Sequence, residues 1–233
     1  MNPAAAAAAT QPVCFARARP VVAAPAVVDA SGLPRDAAMA LSNALPFLRC
    51  GEESAVHAFG RSLAHAAIDA EHLALETITA DEARHAAWLD ALAAALPAPE
   101  WPPQTAAMAR FFRALLTRDR ALHFARVAAL DLAVCEILRP LVAPHGALAA
   151  APQVVAGLQA IRHDEARHVR VARNCAHRLG VSAARQAQLD IALRHELAAL
   201  LAPVHASLAR LGICVFARAA TDHDARATAS CAA

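Results

Sequence analysis

The chain has 233 residues, enough for one domain with a hydrophobic core but too few for two. Its hydrophobic content of 58% is largely Ala, only 4% of residues are aromatic and there are 7 Gly, so the composition predicts an all-α protein. The net charge of +2, the scattered arginines and the lack of a long uncharged apolar run indicate no nucleic-acid partner and no membrane span.

Six cysteines are spread along the chain without a Cys-x-x-Cys pair, which excludes a rubredoxin-type iron site. We therefore expect six free thiols in a reducing compartment and predict a cytoplasmic protein. Tyr is absent, which excludes an enzyme that stores a tyrosyl radical.

The first predicted elements are an arm and a long helix. Residues 1–34 are rich in Ala and Pro and predict a flexible arm. From about residue 36 apolar residues recur at helical spacing, and Pro46 either kinks this helix or marks its start. Glu52 lies on the apolar stripe, whereas Glu53 lies on a polar face, so Glu52 is the preferred candidate for the core and Glu53 remains the alternative.

The second predicted helix runs from about Asp69 to Leu96 and ends at a cluster of prolines. It contains the first pentapeptide, Asp81-Glu82-Ala83-Arg84-His85. Residues 101–118 include a short amphipathic piece that we expect to connect the second helix to the third as a crossover. The third helix is capped by Thr117 or Asp119 and ends near Pro140 or Pro144. Its predicted apolar face includes Glu136.

The fourth predicted helix has the clearest apolar stripe, from Val154 to Leu179. It contains the second pentapeptide, Asp164-Glu165-Ala166-Arg167-His168, and Gly180 ends it. A fifth helix, residues 182–211, has a kink predicted at Pro203 and packs outside the others or against a second subunit in a homodimer. Residues 213–233 predict a loosely ordered tail, so the helical domain spans residues 35–212.

The two pentapeptides have the residue types and the spacing of a metal site. In each copy Glu and His are three apart, so both side chains lie on one helix face and can bind one ion. Another carboxylate lies 30 residues before Glu82, at Glu52, and 29 residues before Glu165, at Glu136. Four carboxylates on apolar stripes require cations to offset their charge. This is the ligand set of a four-helix bundle that holds two irons or manganeses in its core.

On these residues the chain resembles the ferritin-like di-iron carboxylate superfamily, over about residues 40–180. The pentapeptides are similar to the (Asp/Glu)-Glu-x-Arg-His signature of its oxygen-activating members, the bacterial monooxygenases and acyl desaturases. The resemblance implies a ferritin-like four-helix bundle with a crossover segment and an additional C-terminal helix. It also implies that no residue beyond the metal ligands is needed for catalysis and that no other cofactor is bound.

The resemblance implies a role for each residue of the site. One iron is expected to bind Glu52, Glu82 and His85, and the other Glu136, Glu165 and His168, with Glu82 and Glu165 able to bridge. In the similar monooxygenases an Asp beside the ligand orients the metal-bound His of the other motif. The expected pairs are therefore Asp81 with His168 and Asp164 with His85, with Arg84 and Arg167 as counter-charges.

The expected function is a non-haem di-iron oxidoreductase that uses O2 to hydroxylate, oxygenate or desaturate a small organic substrate. Its electrons would come from a separate reductase, because the sequence has no flavin or iron–sulfur motif. Manganese in place of one iron is an open alternative. Two other functions stay open: a ferroxidase or iron-handling protein that uses the same centre, and a helical scaffold without catalysis.

Overall fold

The computed structural model describes residues 14–15, 27–63, 69–100 and 104–214, without the side chains of 60–63 and 69–71. Within these ranges the chain is helical and has no strand. The elements are α1 (Arg35–Leu63), α2 (Asp69–Ala95), α3 (Thr105–Leu115), α4 (Arg120–Leu141), α5 (Pro152–Arg178), α6 (Ala183–Leu201), a 3-10 turn (Ala202–Val204) and α7 (His205–Arg210). The all-α prediction is confirmed for this part of the chain.

The long helices form two hairpins, α1 with α2 and α4 with α5. The first hairpin is antiparallel. The Ser42 hydroxyl donates to the carbonyl of Pro97, and Arg49, seven residues later in the chain, pairs with Asp90, seven residues before Pro97. The hairpins meet along α2 and α5, where a Cβ atom on Gly157 would lie 1.9 Å from the ring of Trp88. Glycine at position 157 thus permits the close approach of the two hairpins.

The segment between the hairpins contains α3, an amphipathic helix that buries Met108, Ala109 and Phe112. It packs against α1 and also contacts α4 and α6. The predicted connecting helix is therefore present. The α6 helix packs mainly on α4, on the outside of the two hairpins.

The helix ends follow the predicted caps. The Asp119 side chain accepts a hydrogen bond from the backbone of α4, and Ser182 does the same for α6. Gly180 ends α5 with a φ of +93°, a conformation that glycine adopts without strain. Pro203 lies in the 3-10 turn that separates α6 from α7, so the predicted break is confirmed. Pro46 lies inside α1 rather than at its start.

The structure describes only parts of residues 1–34, the predicted flexible arm, and these parts pack against the rest of the chain. Val28, Ala30 and Leu33 are buried in the core, and Cys14 is joined to Cys50 of α1. Apolar side chains such as these lose contact with water when they pack, which offsets the entropy cost of ordering the segment. Residues 1–13 and 16–26 of the predicted arm, and 215–233 of the predicted tail, lie outside the described residues.

The cysteines also differ from the expectation of six free thiols. Cys14 and Cys50 form a disulfide with a Cα–Cα distance of 5.4 Å, across 36 residues of sequence. Cys135, Cys175 and Cys214 are not in disulfides. Within the described residues, no helix combines the length and apolar character needed to cross a bilayer.

The buried core consists of two apolar clusters with a polar layer between them. The larger cluster includes Leu48, Leu89, Ile137 and Ile161, and the smaller includes Phe59, Leu75, Phe124 and Ala172. On each of α1, α2, α4 and α5, buried acidic or histidine residues separate the positions that belong to the two clusters. This layer contains the candidate functional site.

Candidate metal centre

Both pentapeptides lie on the inner faces of the hairpins, the first on α2 and the second on α5. Glu82, His85, Glu165 and His168 are all at least 97% buried. Because Glu and His are three residues apart on a helix, each pair projects into the polar layer from one helix face. The structure brings these four predicted residues together in the polar layer.

The two imidazoles present their Nδ1 atoms to the carboxylates. His85 Nδ1 lies 3.3 Å from Glu52 Oε2 and 3.4 Å from Glu165 Oε1. His168 Nδ1 lies 3.0 Å from Glu82 Oε1. The two ring centres are 6.1 Å apart, and both Nδ1 atoms lie near the carboxylates of Glu82 and Glu165.

Two overlapping groups of side chains have the composition and spacing to hold a metal ion. Within each group, one ligand-type atom of every residue lies within 4.8 Å of the others. The members of the first are Glu52, Glu82, His85 and Glu165, and those of the second are Asp131, Glu165 and His168. Glu165 belongs to both groups, so its carboxylate can reach ions in either position.

Several ligand-type atoms in this layer are buried without a hydrogen bond of acceptable geometry. They belong to Glu52, Glu82, His85, Asp131 and His168, one atom each, and they are five of the seven such atoms among the described side chains. A buried polar atom without a partner costs about 1–3 kcal/mol, and more if it is charged. Five such atoms converging in one place therefore indicate a site for a cation.

The third carboxylate of the site is Asp131, whereas the sequence prediction was Glu136. The structure does not bring Glu136 into the cluster. Its carboxylate accepts two hydrogen bonds from Arg194 of α6, at 3.1 and 2.6 Å, and is partly exposed. The two acids are five residues apart, which turns their side chains about 140° away from each other on a helix.

Asp131 has a signal of its own in the sequence, although the spacing of the motifs favoured Glu136. It is the only charged residue in the apolar run from Val127 to Cys135. An acid in the middle of such a run has no solvated face nearby, so it must find partners in the core.

On α1 the structure agrees with the choice of Glu52 over Glu53. Glu52 lies in the cluster, beside His85. Glu53 is also buried, but its Oε2 accepts hydrogen bonds from the backbone N–H groups of Cys14, at 2.7 Å, and Phe15, at 3.0 Å. The two neighbouring carboxylates therefore bind different partners.

The two aspartates of the pentapeptides contact the imidazoles as predicted, each across the hairpin interface. Asp164 Oδ2 is 3.1 Å from His85 Nε2, and Asp81 Oδ2 is 3.3 Å from His168 Nε2. An acceptor at Nε2 places the proton on that nitrogen and leaves the lone pair of Nδ1 free to bind a cation.

The arginines neutralise these aspartates. Arg84 donates to Asp81 at 2.7 Å and to Asp164 at 2.9 Å. Arg167 also pairs with both acids, directly with Asp81 and at 3.1 Å with Asp164. The two guanidinium groups offset the charges of Asp81 and Asp164. They therefore leave the charges of the carboxylates in the two ligand groups unbalanced.

Burial and mutual repulsion raise the pKa values of three inner carboxyls. For Glu52 and Glu165, burial raises the pKa, and the charge of Glu82 raises it further. The pKa of Asp131 rises well above its usual range through burial and the charges of Glu165 and Glu82. Without a cation, these groups therefore retain protons at higher pH than ordinary carboxyls do.

The remaining groups respond to the same cluster in the opposite sense. Burial opposes ionisation of Glu82, but its contacts with His168 and His85 outweigh burial and lower its pKa. Burial likewise opposes protonation of both imidazoles. The charge of Glu52 and contact with Glu165 nevertheless raise the pKa of His85, and Glu82 raises that of His168. In the absence of metal, protons thus act as the counter-charges of the cluster.

A small cavity of about 30 Å³ borders the acidic side chains of the cluster. Acidic side chains of the cluster form one wall, and Phe47, Leu48, Leu130, Val134 and Phe112 of α3 form the others. A volume of this size accepts a molecule as small as water. The cavity therefore offers a mostly apolar space next to the acids.

The buried ligand-type atoms of the cluster are the features of this chain that point to a function. Comparison of the chain with protein-family models, curated proteins and solved structures gives no match.

Proposed function

We propose that the protein is a ferritin-like non-haem di-iron oxidoreductase that uses O2. One ion would bind Glu52, Glu82 and His85, and the other Asp131, Glu165 and His168. The observation that carries this proposal is the convergence of five buried ligand-type atoms, none with a good hydrogen bond, from four helices. Such atoms are satisfied when they share a cation rather than a proton.

The charges of the cluster support two divalent ions. Four carboxylates, Glu52, Glu82, Asp131 and Glu165, carry four negative charges when ionised, which two divalent cations offset. Oxygen ligands together with imidazole nitrogen suit iron or manganese, whereas a structural zinc site usually contains thiolates. The described thiols are not in either ligand group.

The surrounding residues fit the requirements of such a centre. Asp164 and Asp81 hold the two imidazoles by Nε2, so that both rings are fixed before an ion arrives. The carboxylates of Glu82 and Glu165 each contact both imidazoles, which supports a role for both in holding the two ions. Phe59 packs against His168 with ring centres 6.4 Å apart and excludes water on that side.

When bound, two irons supply the electrons for activation of O2. The protein contributes an apolar cavity next to the acids, large enough for a diatomic molecule. A separate reductase is required for turnover with an organic substrate.

A second candidate function is oxidation of ferrous iron itself. The cavity of about 30 Å³ is small, which favours O2 over an organic molecule as its occupant. In this case Fe²⁺ is the substrate and no reductase is needed.

The proposal is tested by loading the metal-free protein with Fe²⁺ under anaerobic conditions and measuring bound iron per chain, then O2 consumption. We expect two irons per chain and rapid O2 uptake. Glu82→Gln should lose most of the bound iron and the uptake. Glu196→Gln is the matched control, because Glu196 is exposed on α6 and should leave both unchanged.

Excess Fe²⁺ separates the two candidates. A ferroxidase continues to oxidise iron well beyond two ions per chain, whereas an oxygenase stops until a reductant is added. A wild-type protein that binds no iron after reconstitution would exclude both functions.

A further inference from the structure

The described residues Cys14 and Phe15 form a clasp on the outer side of α1. Cys14 is bonded to Cys50, and the backbone N–H groups of both clasp residues donate to one oxygen of Glu53. Cys50 and Glu53 flank Gly51 and Glu52. The clasp is therefore fixed to the turn of α1 that carries one of the proposed metal ligands.

The same clasp also contacts α3 at both ends. Cys14 Sγ lies 3.6 Å from the carbonyl oxygen of Thr105, the first residue of α3. The guanidinium of Arg113, near the other end of α3, lies 5.3 Å from the ring centre of Phe15. The Phe15 ring in turn stacks on His57 of α1, with centres 6.1 Å apart. The clasp thus connects α3 to α1 by cation–π, stacking and sulfur contacts.

The α3 helix closes the cavity beside the metal cluster. Phe112 lines the cavity together with Glu52, Asp131 and Glu165. Its ring stacks on Phe47, with centres 5.7 Å apart, and a Cβ on Gly51 would lie 3.5 Å from it. If α3 moves away from α1, the Phe112 ring leaves the cavity wall and the cavity enlarges.

We propose that the Cys14–Cys50 disulfide is a redox-sensitive clasp that holds α3 over the cavity, and that reduction by a dithiol admits larger molecules to the carboxylates. The movement of α3 is independent of the proposed function, but the consequence for substrate access rests on it. In this view the small cavity belongs to the oxidised form. The reduced form is the one that accepts an organic substrate.

The chemistry of the switch is thiol–disulfide exchange. Cys50 is fully buried and Cys14 is partly exposed, so the incoming thiolate attacks the sulfur of Cys14. The S–S bond breaks, and Cys50 leaves as a thiolate and takes a proton. The second thiol of the reductant then displaces Cys14, which is released as a thiol. The two electrons and two protons come from the dithiol, which becomes a disulfide.

Hydrogen exchange of the metal-free protein, read by mass spectrometry, tests the movement directly. We expect dithiothreitol to accelerate exchange of the α3 amides about tenfold, since α3 loses several contacts, while the α5 amides serve as the internal reference. Cys14→Ser should show the fast exchange with or without dithiothreitol, because it cannot form the disulfide. Equal α3 exchange in the oxidised and reduced wild type would overturn the proposal, whether or not the variant folds.

Release of iron to a chelator tests the consequence for access. In iron-loaded protein, reduction of the disulfide should speed release about tenfold if it opens the cavity. A protein that binds no iron refutes the proposed function but leaves the exchange result valid. A protein that binds two irons yet shows no change in α3 exchange refutes the clasp alone.

Discussion

Replacement of Asp131 by Asn distinguishes a metal ligand from a structural acid, because it should act in opposite directions on the metal-free and metal-bound protein. The Asp131 carboxyl is buried with one oxygen lacking a hydrogen bond, and burial together with the charges of Glu165 and Glu82 raises its pKa. Asn has the same shape and no charge, and its amide can donate to the neighbouring carboxylates. Metal-free Asp131→Asn should therefore be more stable than the wild type.

The size of both effects follows from the contacts. Relief of one unpaired buried group should raise the free energy of unfolding by about 1–3 kcal/mol. For a chain of this size, each kcal/mol corresponds to about 3 °C in Tm. Loss of a residue that only positions a metal ligand typically lowers metal affinity by about 10–100-fold. Asp131 would bind the metal directly, so we expect its replacement to lower affinity by about 100-fold.

The assay combines Mn²⁺ titration against a fluorescent chelator with thermal unfolding in the presence of a strong chelator. Glu136→Gln is the control, since Glu136 pairs with Arg194 at the partly exposed side of α4. Loss of that pair should change stability by no more than about 1 kcal/mol and leave affinity unchanged. Wild-type affinity in Asp131→Asn, or lost affinity in Glu136→Gln, would refute the assignment.

Three further predictions follow from the same geometry. Metal binding should release protons, because His85 and His168 have raised pKa values and must lose their protons to bind an ion, and the apparent metal affinity should therefore increase with pH. Calorimetry in two buffers of different ionisation enthalpy measures the number of protons released, and a value of zero would contradict the prediction. Asp164→Asn should lower metal affinity by about 10–100-fold without removing a ligand, as measured by the same Mn²⁺ titration, because it weakens the hold on the His85 ring. Gly157→Ala should destabilise the fold by about 1–2 kcal/mol in urea unfolding, since displacement of Trp88 costs more than the gain in helix propensity, and a stabilised variant would contradict the close contact.

Much of the site follows from local sequence because its residues repeat a short motif on two helices. The spacing of Glu82 and His85, and of Glu165 and His168, places each pair on one face whatever the tertiary structure is. Glu52 could be chosen over Glu53 because α1 has a clear apolar stripe. Where amphipathic contrast is strong, periodicity identifies the buried face.

The α4 helix shows why the rest did not follow. Its residues are mostly Ala, Leu and Val on every side, so no stripe distinguishes the face of Asp131 from that of Glu136. The similar intervals before Glu82 and Glu165 favoured Glu136, but intervals count residues and take no account of helix rotation. The contact with Arg194 of α6, which draws Glu136 away, depends on tertiary packing.

The disulfide was not predictable for a related reason. Cys14 and Cys50 are 36 residues apart, and six cysteines permit many pairings that sequence alone does not rank. The positions of Cys14 and Phe15 depend on that bond and on the backbone contacts with Glu53. Composition reports average tendencies and cannot detect such individual contacts.

The crossed contacts of the pentapeptides have a consequence for the internal symmetry of the chain. Asp81 of the first hairpin serves His168 of the second, and Asp164 of the second serves His85 of the first. This exchange is the one that two identical hairpins would make around a two-fold axis. A single hairpin of this kind, paired with a copy of itself, would reproduce both contacts, so the two Asp–His contacts are related by an approximate two-fold axis between the hairpins.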